Sequence, residues 1–243
     1  MISIIFGSNG KGKSSLMTFF LNESAFDYKR IKAGHREIEK MSQELGIELP
    51  KPKHLTYLNG KACFRKEGYS KRTNLIFEPA RFGIQSEAPE GVKCQFILPY
   101  ASIGCDEAQT WFSSRDGHVE GYQFSAFEKH RHNNLDLYLT TTRAKMIDLR
   151  IRDIAYGFYI KERKVRKNKY EEIVGIDWYV DYIDVGNIEG YLNAGPKDKK
   201  HYYSREKITA DYDVFELYDP ESCKELFYEG FKREDFTINY GEF

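Results

Sequence analysis

Gly7-Ser8-Asn9-Gly10-Lys11-Gly12-Lys13-Ser14 decides how this chain folds. The octet fits G-x-x-x-x-G-K-[ST] at every defined position. The apolar run Ile2-Ser3-Ile4-Ile5-Phe6 precedes it, and Ser15-Leu16-Met17-Thr18-Phe19-Phe20-Leu21 follows. Strand, glycine loop and helix, in that order, is the context in which this motif grips phosphate. Glycines let the backbone curl so that N–H groups converge on an anion. The helix N-terminus adds positive potential. The cradle then runs from Gly7 to Ser15, with Lys13 bridging the outer phosphates and the Ser14 hydroxyl on Mg²⁺. The expected ligand is a nucleoside triphosphate, ATP, together with Mg²⁺.

At 243 residues the chain is one domain, or one domain with an appendage. Lys plus Arg equals Asp plus Glu at 37 each, so net charge names no partner and any nucleic-acid surface is a local patch. Aromatics reach 15%, with 18 Tyr and 17 Phe, many of them in the last third; that predicts a β-rich C-terminal region. Cys63, Cys94, Cys105 and Cys223 form no C-x-x-C pair and read as reduced thiols. A lysine-bearing glycine loop interrupts the first apolar run, which excludes a signal peptide. No stretch approaches the ~20 apolar residues that span a bilayer.

Helical spacing over residues 27–46 (Ile31, Ile38, Met41, Leu45) predicts a helix. Leu55–Phe64 reads as a hairpin turning at Asn59-Gly60. Leu75–Phe77 and Phe96–Cys105 read as strands, Tyr122–His132 as helical, Leu135–Thr141 as a strand and Lys145–Ala155 as a helix. This alternation predicts a parallel sheet covered by helices. Phe158–Ile160 and Ile173–Val185 read as strands of a hairpin with a basic tip, followed by a short helix near Glu221–Phe227. The expected organisation is a nucleotide-binding core over 1–155 and a β-rich extension over 156–243, packed on the same domain.

Three further segments carry chemistry. Ala101-Ser102-Ile103-Gly104-Cys105-Asp106-Glu107 is a strand ending in two carboxylates. Asp106 would hold the metal through water, and Glu107 would polarise the attacking water. A water-activating acid favours hydrolysis over kinase chemistry. Next, the Leu135–Thr141 strand ends in hydroxyls, so Thr141 and the adjoining Thr142 are candidate γ-phosphate sensors. Before it, Arg131 lies four residues from Phe127, near that helix's apolar face. His130 and His132 read as ordinary surface or structural residues. Finally, Ile147, Ile151 and Ile154 form a buried stripe, with Arg150 beside it and Arg152 pointing away. Either arginine could neutralise charge on a neighbouring subunit's nucleotide, or simply be solvated. The basic tip, with Arg163, Lys164, Arg166, Lys167 and Lys169, is a candidate contact to nucleic-acid phosphates, or a solvated turn.

Together these segments resemble the Zot family of filamentous-phage ATPases. The matching residues are the Gly7–Ser14 loop, Asp106-Glu107-Ala108-Gln109 with Trp111-Phe112-Ser113-Ser114-Arg115, His130-Arg131-His132 with Asp136, and Ile147-Asp148 with Arg150-Ile151-Arg152. The resemblance implies the FtsK–HerA group, an additional-strand P-loop fold, Mg-ATP hydrolysis, a hexamer-like homo-oligomeric ring and an arginine acting in trans. Lys13, Ser14, Asp106, Glu107 and Arg131 carry over by position. Two departures stand out. The family has Gln where this chain has Thr142, so the choice between Thr141 and Thr142 as sensor stays open. Zot-type proteins also carry a membrane span after the ATPase domain, and this sequence has none. The expected function is a phage motor ATPase, a ring that moves phage DNA for genome packaging. It would work in the host cytoplasm or at the virion's packaging vertex, with capsid or membrane assembly proteins as further partners. A filamentous assembly ATPase at the host inner membrane is the alternative, and a non-motor nucleotide-binding protein or kinase a further one.

Overall fold

The computed structural model describes residues 1–115, 119–211 and 217–219. Strand β1 (Ile2–Phe6) leads through the glycine loop into α1 (Lys13–Ala25), then α2 (Tyr28–Leu45). Asp27 starts α2 by accepting the Lys29 and Arg30 N–H groups, and Gly46 ends it in the left-handed region at φ 65°. Four short strands follow: β2 (Thr56–Leu58), β3 (Lys61–Phe64), β4 (Arg72–Thr73) and β5 (Leu75–Ile76). Next come β6 (Ser102–Cys105), α3 (Gly121–Glu128), β7 (Asp136–Thr141) and α4 (Leu149–Asp153). The remaining elements are β8 (Tyr156–Lys167), β9 (Ile173–Ile183), α5 (Ile188–Asn193), β10 (Tyr203–Asp211) and β11 (Tyr218–Asp219).

Eight strands form one sheet in the order β10-β9-β8-β1-β7-β6-β2-β5. From β8 to β5 every neighbouring pair is parallel; β9 and β10 add antiparallel pairings. The β1 strand is buried on both faces, which its unbroken apolar run anticipates. Ile2, Ile4 and Phe6 face one core, to which Ile38 of α2, Phe127 of α3, Ile151 of α4 and Ile188 of α5 contribute. Ile5 faces the other, which Leu16, Met17 and Leu21 of α1 fill. Helices therefore cover both faces. Because β8 pairs with β1, the aromatic hairpin continues the same sheet.

The edge of the sheet where β1 and β7 begin is fastened by Arg30. Its guanidinium donates to the carbonyls of Tyr100, Ala101 and Asn134 and to the Asp136 carboxylate. The Met1 ammonium donates to the same carboxylate at 2.7 Å. One arginine thus gathers the chain entering β6 and β7.

Three expectations change. Asn59-Gly60 is not a hairpin turn. β2 joins the parallel sheet between β5 and β6, whereas β3 pairs with β4 and β11. The Asn59 carboxamide is committed to the Asp106 backbone instead, which prevents a two-residue turn from closing on itself. Strand β6 is shorter than Phe96–Cys105, because Pro99 and the positive φ of Tyr100 (62°) interrupt the extended run. The helix expected over Lys145–Ala155 is a 3₁₀ turn at Ala144–Met146 and a single short helix over Leu149–Asp153. The helix expected near Glu221–Phe227 lies outside the described residues, as does Cys223. Cys63, Cys94 and Cys105 are free thiols. Among the described residues no helix is long and apolar enough to cross a membrane.

Gly104 lets α1 sit directly on β6. A Cβ there would lie 2.6 Å from Leu21 Cδ1 and 2.9 Å from Leu58 Cδ1. Gly104→Val therefore overpacks the interface that holds the loop helix against the acid-bearing strand. A loss of about 1–3 kcal/mol is expected, read as a lower denaturant midpoint with an unchanged slope.

Candidate nucleotide site

The glycine loop takes the curl that its sequence demands. Gly10 and Gly12 both sit at φ 77°, a conformation that side chains resist. α1 then begins without any side-chain cap, leaving its first N–H groups directed at the space in front of the loop. Lys13 curls back over the loop, its Nζ donating to the Ser8 carbonyl at 3.4 Å.

Asp106 ends β6, and β7 lies between β6 and β1. The Ser14 hydroxyl reaches across this gap and lies 2.9 Å from both Asp106 carboxylate oxygens. The Thr140 hydroxyl of β7 donates to the same carboxylate and accepts the Glu107 N–H at 3.1 Å. From below, Asn59 accepts the Asp106 N–H at 2.7 Å and donates to its carbonyl at 2.9 Å. Asp106 is 7% exposed and thus held on all sides. A carboxylate and a hydroxyl at hydrogen-bond distance are the oxygen donors that Mg²⁺ takes alongside phosphates and water, so the residues fit that ion. Among the described residues no cluster of three or more His, Cys, Asp or Glu side chains is poised to hold a metal alone.

Glu107 is exposed, in the left-handed region at φ 51°, ψ 43°. For a non-glycine residue this is uncommon, and it turns the side chain out of the β6 line. Its carboxylate accepts from the Gln109 amide. A cavity of about 440 Å³ opens beside the loop, lined by Ser8, Asn9, Arg115, Thr142, Arg143 and Met146. Of the two sensor candidates, Thr141 is buried, with its hydroxyl turned to the Arg143 carbonyl at 3.2 Å. Thr142 faces the cavity, its hydroxyl 3.4 Å from Met146 Sδ.

The arginines separate into distinct environments. Arg131 is exposed at the start of β7, beyond the end of α3, not against the apolar face; Phe127 and His130 point inward instead. Burial pushes the His130 imidazole down, and Nδ1 lies 2.5 Å from the Phe127 carbonyl, a structural role. Arg150 donates to Asp148 at 2.9 Å and to the Val119 carbonyl at 2.7 Å, and covers the Phe124 ring. Its bond to Asp148 raises its pKa. Arg152 is not solvated: it is 7% exposed, donates to the Ile147 carbonyl at 3.0 Å and pairs with Glu189. Burial lowers its pKa. The reason is α5, which packs on α4 and brings Glu189 to a position that α4's own periodicity reads as outward.

The basic hairpin also resolves into parts. Arg163 sits midway along the hairpin, paired with Trp178, not at its tip. A Cβ on Gly12 would lie 3.0 Å from both Arg163 Cδ and Trp178 Nε1, so β8 and β9 pack directly on the loop. Arg166 pairs with Asp177 and Asp211, and Lys167 with Glu171. Lys164 pairs with Glu162 and lies over Tyr179, and Lys169 lies over Tyr170.

Asn59, Thr140 and Arg143 join the candidate site without any motif marking them, whereas Arg115 falls in the segment that carries the family resemblance. An Asn-Gly pair has a stronger local meaning as a turn, and Thr140 looked like one hydroxyl among three. Arg143 follows the sensor strand directly, and that adjacency was the available signal.

The family model described as Zonular occludens toxin (Zot) matches residues 54–222. No curated protein matches the chain. Among solved structures, the N-terminal domain of zonular occludens toxin from Neisseria meningitidis is 17% identical, covers 90% of this chain and 98% of its own, and has a TM-score of 0.48. The genome packaging NTPase B204 from Sulfolobus turreted icosahedral virus 2, in complex with ATP-gammaS, is 13% identical over 74% of this chain and 91% of its own, with a TM-score of 0.34. The DNA-packaging ATPase B204 from Sulfolobus Turreted Icosahedral Virus is 14% identical over 70% and 78%, with a TM-score of 0.31. A mostly parallel sheet, a phosphate-binding loop after β1 and an extra strand between β1 and the acid-bearing strand make this a P-loop NTPase fold, and the chain belongs to the Zot family.

Proposed function

We propose that this chain is the ATP-hydrolysing subunit of a phage motor, an oligomeric ring that translocates DNA during genome packaging. The observation that carries the reading is the contact of the Ser14 hydroxyl with both Asp106 carboxylate oxygens, 2.9 Å each. It joins the loop and the acid strand into one site, as phosphoryl transfer with Mg²⁺ requires. When bound, the ion would neutralise charge between the outer phosphates, with Ser14 as ligand and Asp106 holding it through water. The backbone from Gly7 to Ser15 cradles the phosphates, and Lys13 lies against the outer ones. Glu107 takes a proton from the attacking water, and ADP and inorganic phosphate leave. Thr140 orients Asp106 and fixes the Glu107 backbone, while Thr142 faces the terminal phosphate.

A neighbouring subunit supplies Arg131 in this reading. Arg131 precedes β7, whereas Asp106 and the glycine loop lie where the parallel strands end. β7 separates the two edges by roughly 17 Å at about 3.3 Å per residue, so Arg131 serves another subunit's nucleotide. Arg150 and Arg152 are occupied within their own subunit and take no such role. DNA would meet the hairpin tip through Lys164, Arg166, Lys167 and Lys169. Exposed ion pairs such as Lys167–Glu171 contribute only about 0–1 kcal/mol, so phosphates can replace them. The second reading, a filamentous assembly ATPase at the host inner membrane, is favoured by Zot family membership itself.

ATP turnover by the purified oligomer, with and without DNA, tests the proposal. Packaging predicts stimulation that weakens with salt; turnover indifferent to DNA leaves the assembly reading. Glu107→Gln is expected to bind ATP normally and to lose hydrolysis by at least about a hundredfold. Normal hydrolysis in that variant would mean that the acid has been misassigned. Thr140→Val removes the hydroxyl that positions Asp106. It should raise the Mg²⁺ concentration giving half-maximal turnover about tenfold, with activity restored by excess Mg²⁺.

A further inference from the structure

The strand β1 has two unlike flanks. On one side β8 and β9 pack against Gly12. On the other, β7 ends with Thr141 paired to Phe6, so the chain from Thr142 onward runs beside the start of the glycine loop. Among the described residues, the cavity on this flank carries two guanidinium groups, from Arg115 and Arg143, and no carboxylate. Neither guanidinium has a hydrogen-bond or ion-pair partner among the described residues. On the adjoining helix, by contrast, Arg150 and Arg152 are both matched to acids.

The backbones behind the two arginines are tied together. The Ser114 N–H donates to the Met146 carbonyl at 3.0 Å, and its hydroxyl to the Lys145 carbonyl at 2.7 Å. Ser113 bridges to Ile147 as an isolated β pair. The Arg143 carbonyl accepts from the Met146 N–H at 2.9 Å and from the Thr141 hydroxyl. Both side chains therefore leave one braced platform, beside the same strand ends that carry Asp106 and Thr140. Two unopposed cations facing a phosphate loop suit an anion with several oxygens, and a guanidinium fork matches phosphate oxygens in pairs. Position selects which phosphate: the catalytic acid and the Ser14 hydroxyl lie on this flank, so the terminal phosphate does too.

We propose that Arg115 and Arg143 bind the terminal phosphate of the triphosphate held by their own subunit, so that the site distinguishes triphosphate from diphosphate in cis. This rests on the nucleotide-site reading above. It differs from the trans role given to Arg131, since both arginines line the cavity of the chain that carries the loop.

Calorimetry with Mg²⁺, comparing ADP with a β,γ-imido triphosphate analogue, tests it. Arg143→Ala and Arg115→Ala should each weaken the triphosphate analogue by about tenfold or more and leave ADP within about twofold. Arg143→Lys should recover part of the loss, because charge persists without the fork. Equal weakening of both nucleotides, or no weakening of either, overturns the proposal. Lys13→Ala is the control: if it binds both nucleotides as tightly as the native chain, the nucleotide-site reading itself fails. Adding excess Lys13→Ala protein, whose arginines are intact, should not restore the triphosphate preference of Arg143→Ala. Restoration would move the arginine to a neighbour's site and overturn the cis assignment.

Discussion

A buried carboxylate at the end of β6 organises this molecule. Asp106 receives the Ser14 hydroxyl from the loop helix, the Thr140 hydroxyl from β7 and, at its backbone, the Asn59 amide after β2. An acid this buried is tolerated only when its oxygens are matched. Each partner arrives on a different element, so matching the acid fixes the order and register of β1, β7, β6 and β2. The same requirement that stabilises the carboxylate sets the site. Where the hydroxyls converge, a divalent ion and phosphates fit.

Packing around that point is correspondingly close. Gly104 brings α1 onto β6, and Gly12 brings the β8–β9 hairpin onto the loop. The loop is thereby held between α1 and Trp178, both in the same apolar cluster. The aromatic C-terminal strands are thus continuous with the nucleotide site. The basic hairpin therefore touches the glycine loop directly, through Arg163 and Trp178.

Much of this was legible along the chain. The octet from Gly7 to Ser14, the apolar run before it and the acid pair after Gly104 identify a P-loop fold because each feature is local. Curl, helix start and strand end are encoded within a few residues. The hairpin over Tyr156–Ile183 was legible for the same reason, since alternation at Ile176, Trp178 and Val180 is a period-two signal. The failures share a cause. Asn59-Gly60 has a local meaning, a turn, that the Asp106 backbone overrides from forty-seven residues away. Arg152 reads as solvated until α5 brings Glu189 beside it.

The sequence by itself determined the phosphate loop, the acid strand and the mostly parallel sheet, because these follow from periodicity and from glycine chemistry; the family shows in its resemblance to known motifs. Only the tertiary structure decided which hydroxyl serves the acid, which arginines are occupied and which line the cavity beside the glycine loop. Those assignments depend on distances between elements far apart in the chain. Thr140, Thr141 and Thr142 are equivalent as residue types. The strand's pleat, the neighbouring β6 and the turn toward Met146 give them three different tasks.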